Sequence, residues 1–136
     1  MKKGQDGRPS TATSSSTLHV RDNDMDFAVY GDGMAGPGAG GLSVAPTVGD
    51  LQPNFRPARF GGNADDRKMH VWKFGNLPYV AGAVGFGLNL RPYPPRSREL
   101  EHGVLEPANV ITLELFRDRA VTTRDSWTYV ETTESL

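Results

Sequence analysis

His102-Gly103-Val104-Leu105-Glu106-Pro107 is the stretch on which the fold turns, because it leads shortly into one amphipathic segment, Thr112 to Asp125, closed by Trp127. The first part reads as a short strand stopped by proline, with an ionisable side chain at each end. The second reads as a helix: Thr112 can cap it, Leu113, Phe116 and Ala120 recur on one face, and Glu114, Arg117 and Asp118 fall outside. At 1.5 Å per residue this predicts a helix of roughly 20 Å, enough to cover one face of a small sheet. Two ionisable groups at a strand end, buttressed by a helix, are a usual way to hold chemistry on a rigid element.

Working upstream, Phe86, Leu88 and Leu90 alternate with Gly87 and Asn89, which predicts a half-buried strand ended by Arg91-Pro92. Met69 to Phe74 alternates so that His70, Trp72 and Phe74 share one face. Leu42-Ser43-Val44 is a short extended piece, and Leu18–Arg21 and Phe27–Tyr30 read as two further short strands around an Asp22-Asn23-Asp24 turn. Gly31 to Gly41 is too rich in glycine for either regular element and reads as a flexible loop. Residues 1–17, polar and small, read as a disordered arm, residues 18–130 as a single globular domain and residues 131–136 as a tail. The expected class is α+β, with a small mixed, mainly β core and a C-terminal helix.

Composition narrows the function classes. In 136 residues, 37% hydrophobic, there is room for one small core, and 16 Gly with 10 Pro favour short strands joined by irregular loops over a helical bundle. Fifteen basic and sixteen acidic residues, interspersed, give a net charge of −1 and no overall field toward nucleic acid or an anionic membrane, although a small cationic site can still exist locally. No cysteine means no disulfide framework, thiolate zinc site or cysteine nucleophile. Met1-Lys2-Lys3 lacks the apolar run of a secretory signal, and no window approaches a bilayer span. The expectation is a soluble cytoplasmic chain, or one exported by a route that reads no such signal.

The glycine loop matches neither Gly-x4-Gly-Lys-Ser/Thr nor a Gly-x-Gly-x-x-Gly opening a helix, so a connector is favoured over a phosphate cradle. His19, His70 and His102 lie on separate predicted strands without metal-ligand spacing, and no metal site is expected. His70 reads as a core or edge residue. His19 with Arg21, and His102 with Glu106, share strand faces, and if those strands are neighbours a cation and a carboxylate can meet around one ligand. An edge salt bridge would use the same residues. Pro92 and Pro95 have the spacing of a polyproline ligand, but the segment Arg91–Arg98 must bridge two strands and is favoured as a stiff connector. Thr122, Thr123, Arg124 and Ser126 read as helix-end capping residues. Neither Ser43 nor Ser97 sits in a nucleophile-elbow pattern.

Gly40-Gly41-Leu42-Ser43-Val44, followed in order by His102-Gly103-Val104-Leu105-Glu106-Pro107-Ala108 and a helix ending near Trp127, resembles bacterial toxins of ADP-ribosyltransferase-like fold delivered by type VI secretion. In that group a Gly-Gly-x-Ser-Val stretch precedes a His-Tyr-x-Ile-x-Pro strand and a helix with a late Trp. Gly103 stands at the aromatic position, a single Ser replaces the Ser-Thr-Ser of many transferases, and Glu106 precedes Pro rather than forming a Glu/Gln-x-Glu pair. The resemblance implies a split, mixed β fold around a nicotinamide-nucleotide cleft, with NAD as substrate of an ADP-ribosyltransferase or NAD glycohydrolase. It places Arg21 or His19 near the nucleotide and Ser43, His102 and Glu106 as catalytic candidates. It also implies toxicity in the cytoplasm of a target cell, a cognate immunity protein or antitoxin, and a secretion-system component as partners.

A different class fits the same chain. Near-neutral charge, the aromatics Trp72, Tyr79, Tyr93 and Trp127 expected at the surface, and no convincing triad or metal cluster suit a non-catalytic partner-binding protein of immunity or adaptor type.

Overall fold

A computed structural model describes residues 1–12, 17–76, 78–94 and 100–131. The protein is α+β: small antiparallel sheets with one helix toward the C-terminus. Strands β1 (Met34–Ala35), β2 (Leu42–Val44), β3 (Val71–Phe74), β4 (Gly82–Gly85), β5 (Leu88–Pro92), β6 (Gly103–Pro107) and β7 (Ile111–Thr112) precede helix α1 (Leu113–Thr122), and β8 (Trp127–Val130) follows it. The main sheet has the order β2-β6-β5-β4, and β1 pairs with β7 and β3 with β8.

The decisive stretch becomes the inner strand β6, buried along its whole length because β2 and β5 cover both of its edges. Leu105 lies opposite Leu42 on one side and Leu90 on the other, so three leucines form one row across the sheet. The next row, Ser43, Val104 and Arg91, points to the opposite face, and Glu106 shares that face opposite Asn89. Helix α1 begins where its cap predicts: Thr112 Oγ1 accepts the Leu115 N–H at 3.1 Å. Its buried residues are Leu113, Phe116 and Ala120, which join Val20, Ala35 and Leu88 in the core.

The helix is shorter than expected. It ends at Thr122, the chain tightens into a 3-10 turn at Arg124–Ser126, and Trp127 opens β8 opposite Phe74 instead of closing a helix. Thr123 turns the corner: its buried hydroxyl donates to the Ala120 carbonyl at 2.6 Å and accepts from Trp127 Nε1 at 3.0 Å. Among the described residues no helix is long and apolar enough to cross a membrane.

Several expected strands are corrected. Leu18–Arg21 joins no ladder among the described residues: it leaves a bend at Leu18, with Leu18 and Val20 fully buried. Phe27–Tyr30 is a turn, because the Asp26 carboxylate accepts the Ala28 N–H at 3.0 Å and Gly31 N–H closes onto the Phe27 carbonyl at 2.9 Å. Met69 belongs to the Asp65 turn through its N–H to the Asp65 carbonyl. Phe86, expected in a strand, occupies the two-residue β4–β5 hairpin loop with Gly87; both have positive φ, 60° and 68°, which matches the hairpin twist. Arg91-Pro92 does not end β5 but continues it, opposite Val104 and Gly103. Pro95, Ser97 and Arg98 lie outside the described residues, as do residues 13–16 of the serine-threonine tract and 132–136 of the tail.

The N-terminal residues, expected as a disordered arm, make specific contacts. Arg124 clamps both carboxylate oxygens of Asp6 at 2.8 and 2.9 Å and reaches the Pro9 carbonyl, while Trp72 Nε1 donates to the Met1 carbonyl at 2.8 Å. Local composition registers none of these long-range partners. The glycine loop is likewise partly built into the sheets: it contains β1 and the buried Ala35 and Ala39. A Cβ at Gly40 would overlap the Asp24 carbonyl oxygen, so glycine there allows two backbones to touch.

Candidate functional site between two sheets

A groove of about 1100 Å3 runs between the leucine-bearing face of the main sheet and the β3–β8 pair. Leu42, Leu90 and Leu105 line one side, and Val71, Trp72, Phe74 and Trp127 the other. Phe74 and Trp127 meet tilted by 49° at 4.8 Å between ring centroids, and Trp72 meets Tyr129 edge-on at 5.6 Å, so the aromatic wall is held by cross-strand pairing.

Polar groups enter this apolar groove from loops and strand ends. His19 and Arg21 line it because Leu18 and Val20, the alternate residues of that segment, are turned into the core. Helix α1 fixes the segment: Arg117 Nε donates to the Val20 carbonyl at 2.7 Å and its Nη2 meets Asp22 at 2.8 Å. Arg21 is partly engaged, with its guanidinium 3.6 Å from Asp24 and its backbone N–H donating to the same carboxylate at 2.8 Å, yet its side chain remains 39% exposed. Ser43 lines the rim from the edge strand β2, and His102 lines it from the residue before β6, its ring 5.0 Å from that of Tyr93.

The structure therefore places His19, Arg21 and His102 around one groove, with Ser43 on its rim strand but in the row that faces the other side of the sheet. Glu106 is elsewhere. His102 precedes the first ladder residue and escapes the strand alternation that was expected to align it with Glu106. Glu106 is buried on the opposite face, where Arg91 Nε donates to Oε1 and the Gly38 N–H donates to Oε2 at 2.8 Å. The glycine loop closes over a carboxylate from the chain itself rather than over a ligand.

Two groove carboxylates were not singled out as site residues in the sequence, and one aromatic was given a different place. Asp24 and Asp50 bring carboxylates to its wall. Tyr79, expected as an exposed aromatic, is half-buried, and its hydroxyl is buried without a hydrogen-bond partner among the described residues. Burial, and then the charges of Glu101 and Asp50, push its phenol above its ordinary range, so it stays a protonated donor. A Cβ on Gly103 would lie 2.5 Å from the Arg91 carbonyl oxygen and 2.6 Å from that hydroxyl, so glycine lets both approach. No periodicity marks Tyr79, which sits in an irregular turn. Trp72, Tyr93 and Trp127 are also half-buried rather than exposed. Among the described residues no group of three or more His, Asp or Glu side chains is arranged to hold a metal ion.

Comparison of the chain with protein-family models, with curated proteins and with solved structures gave no significant match.

Proposed function

We propose that this protein is a bacterial toxin or effector domain that acts in the cytoplasm of a target cell by binding and consuming NAD in the groove between the two sheets. The observation that carries this reading is the convergence of His19, Arg21 and His102 on one apolar groove. The aromatic side chains Trp72, Phe74 and Trp127 offer contact to a nicotinamide or adenine ring, and Arg21 supplies the cation that a pyrophosphate requires.

Cleavage of the bond between ribose and nicotinamide sends the electron pair out with nicotinamide and leaves positive charge on the ribose. A carboxylate facing that sugar lowers the barrier, and Asp24 and Asp50 are groove carboxylates that could serve, Asp24 by releasing Arg21 and Asp50 by releasing the Thr47 hydroxyl and the Glu101 N–H. Water then adds to the ribose carbon and gives its proton to an imidazole, for which His102 is the candidate; a nucleophile of a target protein in place of water makes the reaction ADP-ribosyl transfer. Glu106 serves in this scheme as a structural anchor. A chain that consumes cellular NAD would be matched by an immunity protein or antitoxin and carried by a secretion-system component.

The competing reading is a non-catalytic partner-binding protein. The pairing of both Glu106 oxygens favours it, since the carboxylate with the strongest sequence claim to catalysis is occupied. Tightly induced cytoplasmic expression of wild type, Arg21→Ala, His102→Ala and Glu106→Ala, at matched levels, separates the two. Growth arrest with loss of cellular NAD in wild type, relieved by Arg21→Ala and His102→Ala, supports the toxin. Equal growth and unchanged NAD in all four sinks it in favour of a binding protein.

A further inference from the structure

Beside the groove lies a second, smaller concavity of about 430 Å3, lined by Lys2, Lys3, Gly4, Arg67, Lys68 and His70. Its cations come from opposite parts of the chain and are brought together by two fixed turns. In the first, the Ser10 N–H donates to the Lys2 carbonyl at 2.8 Å and the Gly4 N–H to the Arg8 carbonyl at 2.7 Å. In the second, the Lys68 and Met69 N–H groups both donate to the Asp65 carbonyl. The His70 N–H, donating to the Met1 carbonyl at 3.2 Å, joins the two.

Charge here is not balanced locally. The neighbouring acids are each taken by an arginine: Asp6 by Arg124, Asp125 by Arg8, Asp65 by Arg67 and Asp66 by Arg59. Lys2, Lys3 and Lys68 have no carboxylate partner among the described residues, and Lys3 is steadied over the Tyr129 ring at 4.8 Å. His70 adds an independent observation, because its Nδ1 is buried without a hydrogen-bond partner among the described residues. Its imidazole is held below its ordinary range by burial first and then by Arg59 and Lys3, which Asp66 opposes only in part.

We propose that this concavity binds a small phosphorylated ligand of the pyrophosphate class. Uncancelled ammonium groups around a pocket of this size, on a chain whose net charge is −1, match a compact multivalent anion better than a long nucleic-acid backbone. The site goes beyond the NAD reading of the groove and does not depend on it.

Titration calorimetry of the full chain with inorganic pyrophosphate tests this. Wild type is expected to bind, with affinity falling roughly tenfold between low and high salt. Lys3→Gln/Lys68→Gln should weaken binding by roughly tenfold, while Arg119→Gln, a cation outside the concavity, should not. Measured in an Arg21→Ala background, which removes the cation the groove would offer a pyrophosphate, binding that depends on Lys3 and Lys68 should persist, so failure of the groove reading and failure of this one are told apart. Should the double variant not fold, the His70 imidazole resonances of wild type must still shift on adding pyrophosphate. No binding by wild type, an unchanged affinity in the folded double variant, or tighter binding of a single-stranded oligonucleotide through the same lysines overturns the proposal.

Discussion

Arg91 and Glu106, on neighbouring strands β5 and β6, form an ion pair of unequal burial: the arginine side chain is 47% exposed and the carboxylate 2%. Such a pair anchors the glycine loop, because the second carboxylate oxygen takes the Gly38 N–H. The two ends of the pair should respond differently to removal. Arg91→Ala leaves a buried anion with one backbone donor and is expected to cost about 3 kcal/mol. Glu106→Gln keeps an acceptor for Gly38 and leaves a cation that water can reach, at about 1 kcal/mol. Urea unfolding of both variants checks the order, and equal losses would contradict it.

Glycine matters unequally along the loop. Gly40, at φ 95°, has no room for a Cβ beside the Asp24 carbonyl, whereas Gly33, at φ 72°, faces open space. Gly33→Ala should cost only the left-handed backbone penalty, about 1 kcal/mol, and Gly40→Ala about 3 kcal/mol or more. Thermal melts of the two variants should differ accordingly.

Tyr79 carries a stability penalty that a ligand can relieve. Its unpartnered hydroxyl is expected to cost about 1–3 kcal/mol, so Tyr79→Phe should raise the melting temperature of the free protein while weakening binding of NAD in the groove. The raised phenol pKa has a consequence at alkaline pH. Above the ordinary value of 10.0 the unfolded chain loses this proton more readily than the folded one, so wild-type stability falls as pH rises through that range, and Tyr79→Phe should lack that part of the fall. Urea midpoints at pH 8 and at about pH 11 measure it.

His70 acts in the acid range. Its folded pKa lies below the ordinary 6.5, so below that value the unfolded chain binds the proton more readily, and the protein gains stability as pH rises toward 6.5. His70→Gln should flatten the acid side of the stability profile measured by urea unfolding. A profile as steep as wild type would remove His70 as its cause.

Arg117 tests how the groove is assembled. It touches no groove ligand position but holds the Val20 carbonyl and Asp22, and through them His19 and Arg21. Arg117→Met should leave α1 folded and weaken NAD binding several-fold, with circular dichroism separating that from unfolding. Unchanged affinity would mean that the His19–Arg21 segment is held by Leu18 and Val20 alone.

The sequence by itself determined what depends on neighbours along the chain. Leu42–Val44 was expected as an extended piece and is β2, Thr112 caps the helix, and Leu113, Phe116 and Ala120 form its buried face, because side-chain period and capping chemistry act within a few residues. It also showed that overall charge is balanced while leaving room for a local cationic site. Tertiary structure alone decided the rest. Trp127 became part of a strand because β3 lies across from it, Arg124 holds the N-terminal residues through Asp6, and Glu106 faces away from the groove, held by Arg91 and Gly38. Lys2, Lys3 and Lys68 meet only after folding. In each case the deciding partner is distant in sequence, and a hydrogen bond, a charge or a strand edge acts over a few ångströms of space, a proximity that no local pattern of residues encodes.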